Sequence, residues 1–237
     1  MAHYNFTECK TLENGATLTR RVYETLREEI VAGQFDPGER LVRRSLGKRL
    51  GVSPMPVTEA LHMLEVDGLV ENRALYGSRV RVLTIEDLRT DEVLREAMEC
   101  QAARMGAERA GDAELGRLGS EARQLDRLMR DGDPESRLGM HLHLEFHARL
   151  AQLSGLERLA DEVRRVWSRL LMRLNWIKAL RYRKVPEDWH QQLVDAMRTR
   201  NPDVAETKMR EHVRYGIEDD VAALEEYLKR RRLQSDG

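Results

Sequence analysis

The first third of the chain shows three stretches with apolar residues at helical spacing. Residues 18–32 predict one amphipathic helix, and residues 44–67 predict two short helices separated by the tight turn Gly51-Val52-Ser53. The apolar positions that share a face in these helices are, in order, Val22, Leu26 and Ile30, then Leu46 and Leu50, then Val57, Leu61 and Leu64. A short helix, a glycine turn and a second amphipathic helix form the helix-turn-helix pattern, whose second helix enters the DNA major groove.

The residues beside the helix-turn-helix pattern predict a helix cap and a β-hairpin as further parts of the same domain. Ser53 is predicted to cap the free N–H groups of the third helix, and Pro54 lies in its first turn, where a missing N–H costs nothing. Two strand-like runs, 68–70 and 77–82, then flank a turn and predict a β-hairpin wing. The sequence therefore predicts a winged helix-turn-helix.

After Val82 the pattern becomes helical throughout, rich in Leu, Ala, Arg and Glu. Helices are predicted near residues 85–110, 112–130, 134–153, 156–180, 186–199 and 201–231. The expected fold class is mostly α, with a winged helix-turn-helix followed by an all-helical bundle of six or seven helices. The expected domains are a tail at 1–16, the DNA-binding domain at 17–83 and the bundle at 84–237.

The charge and composition of the chain limit the classes of function that it can have. The 40 basic and 41 acidic residues leave a net charge of −1, which argues against non-specific coating of nucleic acid. One basic cluster comprises Arg40, Arg43, Arg44, Lys48 and Arg49. Such a cluster is either a solvated helix face or a phosphate-binding surface, and the helix-turn-helix context favours the second. Neither a phosphate-binding glycine loop nor a nucleophile elbow is visible.

Localisation signals are lacking in the sequence as given. Charged residues interrupt the apolar start, so no signal peptide is expected. No apolar run approaches the roughly 18 residues of a membrane span. A cytoplasmic protein without a membrane partner is expected.

The N-terminal motifs resemble the GntR family of bacterial transcription regulators. The resemblance rests on five short sequence motifs, which are Leu26–Ile30, Gly33–Leu41, Leu50–Ser53, Pro56–Leu61 and Leu64–Val70. The family usually has arginines where this chain has Pro54 and Thr58, whereas Arg44 matches a third basic contact. The residues expected to contact DNA are Arg40, Arg43, Arg44, Lys48, Arg49, Ser53, Met55, Thr58 and Arg79. Because Pro54 and Thr58 offer no guanidinium fork to guanine, an operator unlike the usual family site is expected.

Histidines are the second chemical feature. His143 and His147 are four residues apart and share a helix face, and His190 and His212 lie in two later predicted helices. Imidazoles from three helices can chelate a divalent transition metal. The alternative is that they are ordinary core or surface histidines, which spacing alone favours.

The region from about residue 86 to 224 is similar to the helical effector domain of the FadR branch of that family, the FCD domain. The resemblance implies a metal site at His147, His190 and His212, with His143 where the family usually has Asp. Zinc is the expected metal, with nickel as the other candidate. A small carboxylate is implied as effector, with Arg95, Arg181 and Arg183 as candidate contacts. For Arg95 the alternative is an ion pair with Glu99 on a solvated face.

The sequence as a whole predicts a one-component regulator, not an enzyme. It is expected to bind a palindromic operator as a homodimer and to change DNA affinity when a metabolite binds near the metal. A repressor for which the ion itself is the signal is one alternative. A metal-dependent enzyme is a weaker one, because neither a well-placed acid/base Glu or Asp nor a convincing nucleophile is evident near the histidines.

Overall fold

The structure is a computed structural model that describes residues 17–73, 76–134, 136–178 and 185–235. The chain forms two compact units that meet in sequence between Val82 and Leu83. The first unit combines helices with a small sheet, and the described part of the second unit is helical. None of the described helices is both long and apolar enough to span a membrane.

The first unit is a winged helix-turn-helix, as predicted. Its elements are α1 (Leu18–Val31), β1 (Arg40–Leu41), α2 (Arg43–Leu50), α3 (Pro54–Val66), β2 (Val70–Arg73) and β3 (Gly77–Val80). The strands form an antiparallel sheet in the order β1-β3-β2, with Arg40 opposite Arg79 and Val70 opposite Val80. The predicted wing is present, but its first strand begins at Val70 instead of ending there. Strand β1 was not predicted, because two residues are too few to show a strand period.

Local chemistry explains how α2 and α3 meet. Gly51 has a φ of 67°, a left-handed conformation that ends α2 and that glycine adopts without strain. Ser53 is the N-cap residue before α3 and Pro54 is the first residue of the helix, as predicted. The Ser53 side chain makes no capping hydrogen bond, so that part of the prediction is wrong. Every apolar position predicted to face the core of this unit is buried. The core therefore fixes α3 with its opposite face outward.

The second unit is a helical bundle built around one long central helix. Its described elements are α4 (Ile85–Arg109), α5 (Asp112–Asp131), α6 (Arg137–Gln152), α7 (Glu157–Trp176), α8 (Gln191–Arg198), α9 (Pro202–Arg214) and α10 (Ile217–Ser235). Helix α4 packs against α6, α7, α8, α9 and α10, and α6 packs along α7. A capping box between Thr84 and Asp87 fixes the start of α4.

Four predicted helix boundaries need correction. The range 201–231 is two helices, because Gly216 adopts a φ of 75° and ends the first of them. The helix predicted at 186 begins at Gln191, since residues 187–190 form a turn. Helix α6 begins after Ser136, whose hydroxyl accepts from the Gly139 N–H. Helix α7 ends at Trp176, short of the predicted 180, and residues 179–184 lie outside the described part.

Candidate metal centre and nucleic-acid interface

Four buried histidines meet inside the second unit. His143 and His147 lie one turn apart on α6, His190 occupies the N-cap of α8, and His212 lies in the last turn of α9. All four are at most 7% exposed. Histidine is usually only intermediate in burial, so a fully buried group of four is unusual.

Three of these histidines lie within reach of a single ion. One ring nitrogen from each of His143, His147 and His190 lies within 4.8 Å of the others. The Nε2 atoms of His143 and His190 are 3.2 Å apart. His212 lies beside this group, with its ring centroid 5.1 Å from those of both His147 and His190. The structure thus brings the predicted residues together as three candidate ligands and one neighbour.

Two carboxylates hold the outward nitrogens of these rings. Glu99 Oε2 lies 2.7 Å from His147 Nδ1, and Asp126 Oδ1 lies 2.6 Å from His190 Nδ1. When Nδ1–H donates to a carboxylate, the neutral ring presents the Nε2 lone pair on its other side. This is the arrangement in which histidines bind metals. The sequence did not indicate that Glu99 and Asp126 would hold these rings, because both lie far from the histidines along the chain.

Polar atoms in the cluster are consistent with an ion. Among the described residues, His147 Nε2 and His212 Nδ1 are buried without a hydrogen-bond partner. Such atoms cost free energy unless something else binds them. An all-imidazole donor set suits zinc, nickel, copper and iron. The residues present therefore fit a transition-metal ion, which agrees with the chemistry inferred from the sequence.

The protonation states of the histidines also favour metal binding. Burial and the neighbouring His190 hold the pKa of His147 well below its usual value. Burial, with His190 and His147 nearby, does the same to the pKa of His212. Burial opposes ionisation of Asp126, but hydrogen bonds from His190 and Gln191 outweigh it and lower the pKa of Asp126. The two rings are thus neutral, which is the form that coordinates a metal.

Arg95 lies beside the histidines and forms ion pairs with two carboxylates. Its Nε lies 3.0 Å from Glu99 Oε1, and its Nη1 lies 2.9 Å from Glu92 Oε2. The guanidinium also lies over the Trp167 ring, 4.5 Å from the centroid. The predicted pair of Arg95 with Glu99 forms, but Arg95 is buried and not on a solvated face. The positive charge of Arg95 is therefore already balanced by two carboxylates.

A small cavity adjoins the histidines. Its volume is about 40 Å³, and its lining includes Arg95, His143, Trp167, Trp189, His190 and His212. At roughly 10–15 Å³ per water-sized particle, this volume accommodates a few such particles. Two predicted effector contacts, Arg181 and Arg183, lie outside the described residues.

The predicted DNA-contacting residues lie on α2, α3 and the sheet of the first unit. Arg40, Arg43, Arg44 and Lys48 are exposed. Ser53 and Met55 at the start of α3 are exposed, and Thr58 is half-buried. Two of the predicted contacts have partners within the unit. Arg49 makes two hydrogen bonds to Glu29, at 2.8 and 2.6 Å, and Arg79 donates to the Gly38 carbonyl at 3.1 Å.

Comparison with known proteins matches both units. The family model "Bacterial regulatory proteins, gntR family" matches residues 18–80, and the "FCD domain" model matches residues 92–215. The Nta operon transcriptional regulator of Aminobacter aminovorans is 31% identical over 173 residues, covering 73% of this chain and 80% of that protein. The HTH-type transcriptional repressor RspR of Escherichia coli (strain K12) is 25% identical, covering 83% of this chain and 86% of the repressor.

A solved structure supports the same assignment. A GntR-type regulator from Rhodococcus sp. RHA1 superposes with a TM-score of 0.70 at 27% identity, covering 87% of this chain and 96% of that one. These matches span both units and concern transcription regulators, not enzymes. The chain belongs to the GntR family of bacterial transcription regulators, in the branch that carries an FCD domain.

Proposed function

We propose that this protein is a homodimeric repressor that binds a palindromic operator through α3. A small carboxylate, bound beside a transition-metal ion in the helical unit, changes its DNA affinity. The family assignment supports DNA binding, and RspR is a relative that is named a repressor. The dimer and the palindrome belong to the same proposal, because a two-fold protein matches a two-fold operator.

The observation that carries the regulatory part is the histidine cluster. Nitrogens of His143, His147 and His190 converge, and the carboxylates of Glu99 and Asp126 hold two of the rings from outside. Such outer carboxylates orient the ring and raise the basicity of the ligand nitrogen. Zinc or nickel held there supplies a cationic centre that attracts an anion. His212 and Arg95 line the cavity where that anion would lie.

A second function is favoured by two features of the same cavity. Arg95 is already paired with Glu92 and Glu99, so an incoming carboxylate must compete for it. The cavity volume of about 40 Å³ also suits an ion with its waters better than a larger metabolite. Both features support a repressor for which the ion itself is the signal.

One titration separates these functions. The operator is first obtained by selecting binding sites from random DNA. Its dissociation constant is then measured by fluorescence anisotropy for chelator-treated protein, for protein loaded with zinc or nickel, and for loaded protein with a panel of small carboxylates. If a carboxylate is the signal, a carboxylate changes the constant by at least about 5-fold, and only when metal is bound. If the ion is the signal, metal alone does so. Constants that change in neither case would contradict regulation through this site.

DNA recognition has its own test in Arg44. This exposed residue forms no ion pair with any described residue, so its guanidinium is available to DNA. Arg44→Ala should weaken operator binding by about 1–3 kcal/mol. Arg89→Ala removes the same charge from an exposed position of α4 and serves as the control. Equal affinities for the Arg44 variant and the wild type would refute the assignment.

A further inference from the structure

The exposed start of α3 lacks the groups that usually read guanine. Pro54, Met55 and Thr58 occupy its first two turns, and none carries a guanidinium or an ammonium. Met55 is 66% exposed, although large apolar side chains are mostly buried in this unit. A single exposed apolar residue is normal on a protein surface, so Met55 needs a second observation beside it.

Thr58 provides that observation. Its hydroxyl donates a hydrogen bond of 3.0 Å to the Pro54 carbonyl one turn earlier. A hydroxyl has one hydrogen, so this bond leaves Thr58 no donor for a base edge. Its methyl group remains for apolar contact. Met55 and Thr58 are three residues apart, so both lie on the same helical face.

The acidic residues of α3 are held within the unit. The Glu59 carboxylate accepts from the Thr19 hydroxyl of α1 at 2.5 Å, and Glu65 accepts from the Asn72 amide of β2 at 2.5 Å. Meanwhile Arg43, Arg44 and Lys48 of α2 are exposed and available to neutralise phosphates. At the start of α3 the groups left for contact with DNA are therefore apolar, and the positive charge lies on the neighbouring α2.

From these contacts we infer that Met55 and Thr58 read thymine methyl groups in the major groove. The C5-methyl of thymine is the apolar group that the major groove displays, and Thr and other apolar side chains pack against it. The operator positions that face the first two turns of α3 are then A·T pairs. This inference rests on the proposed DNA binding and adds the base class that the helix selects.

The experiment removes the methyl group from the DNA. After selection of the operator from random DNA, each thymine in turn is replaced by deoxyuridine, which pairs identically but lacks the methyl. Affinity of the full-length protein should fall by about fourfold at one or two thymines in each half-site, the effect of one buried methyl-sized group. Thymines in the sequence that flanks the operator provide the control. Replacements that all leave the affinity within twofold would overturn the inference.

Protein variants assign the contact to residues. Thr58→Ser keeps the hydroxyl and removes the methyl, so it should abolish the preference for thymine over uracil at one position. Thr58→Val, which keeps a methyl, should restore that preference. Met55→Ala should abolish the preference at a different position. Thymine preferences that persist unchanged in both Thr58→Ser and Met55→Ala would overturn the inference while leaving DNA binding intact. Failure to select any sequence would overturn the proposed function and the inference together.

Discussion

At the scale of single residues, the candidate metal centre depends on contacts between distant positions. The shared face of His143 and His147 could be predicted, because four residues make one helical turn. The carboxylates behind the rings could not, since Glu99 lies 48 positions from His147 and Asp126 lies 64 from His190. Only the packing of α4 and α5 against the histidine-bearing segments brings them there.

Asp126 offers a direct test of the outer carboxylates. It accepts from the ring and the backbone N–H of His190 and from the backbone N–H of Gln191. Asp126→Asn keeps the shape but removes the charge and one acceptor, so it should weaken zinc binding by about 10–100-fold. Competition with a chelating dye measures the affinity.

Asp131→Asn is the matched control for this variant. Asp131 lies at the end of the same helix, and its side chain is 65% exposed. Zinc affinity should remain at the wild-type value in this control. Equal affinities of the Asp126 and Asp131 variants would show that the Asp126 carboxylate does not support the ligand.

At the scale of elements, helices with a clear apolar pattern could be predicted, whereas a break decided by the backbone of one residue could not. The range predicted for α4, residues 85–110, differs by one residue from the observed helix, because the helical pattern continues over 25 residues. The break between α9 and α10 escaped prediction, since the residues on both sides continue the helical pattern. A single glycine conformation at Gly216 decides that break.

Gly216 and Gly116 form a matched pair for testing this break. Gly216 has a φ of 75°, where a Cβ is strained, so Gly216→Ala should lower the free energy of unfolding by about 1–2 kcal/mol. Gly116 lies within α5 with open space around its missing Cβ, so Gly116→Ala should raise that free energy by about 0.5–1 kcal/mol. Urea unfolding measures both. Two changes of the same sign would contradict this account of the glycines.

In the first unit, a buried side-chain hydrogen bond joins α1 to the end of α3. The Tyr23 hydroxyl donates to Asp67 Oδ2 at 2.5 Å in a buried setting. Tyr23→Phe should lower the free energy of unfolding by about 2 kcal/mol, because the bond is charge-assisted. Tyr76→Phe, at a site that is 63% exposed, is the control and should change it little.

The same link makes a prediction about pH. Burial and then Asp67 raise the pKa of Tyr23 from 10.0 to about 12. The unfolded chain therefore loses this proton first as the pH rises. The contribution of Tyr23 is full below pH 10.0 and is lost as the pH approaches about 12. In Tyr23→Phe the decline in stability over this range should be smaller than in the wild type, and an identical decline would contradict the assignment.

At the scale of the whole molecule, regulation requires that a ligand in one unit change the DNA affinity of the other. Helix α4 begins at Ile85, close to the boundary after Val82, and carries both Arg95 and Glu99. A ligand bound among the histidines would lie close to Arg95 and Glu99, and therefore close to α4. For regulation, it must bind one conformation of the protein more tightly than another. The order of the two units could be predicted from the sequence. Coupling between them could not, because it depends on a difference between two conformations, and a pattern of residues predicts elements and not alternative conformations.

The proposed regulation depends on a transition-metal ion held by the buried histidines. Its most direct test is the metal content of the purified protein, measured by elemental mass spectrometry after dialysis against a weak chelator. We expect close to one zinc or nickel ion per chain in the wild type. The doubly substituted His143→Ala, His190→Ala protein should hold essentially none, while circular dichroism shows it still helical. A wild-type protein that carries no metal and takes up none when zinc or nickel is added would contradict the claim, and the four histidines would then be core residues only.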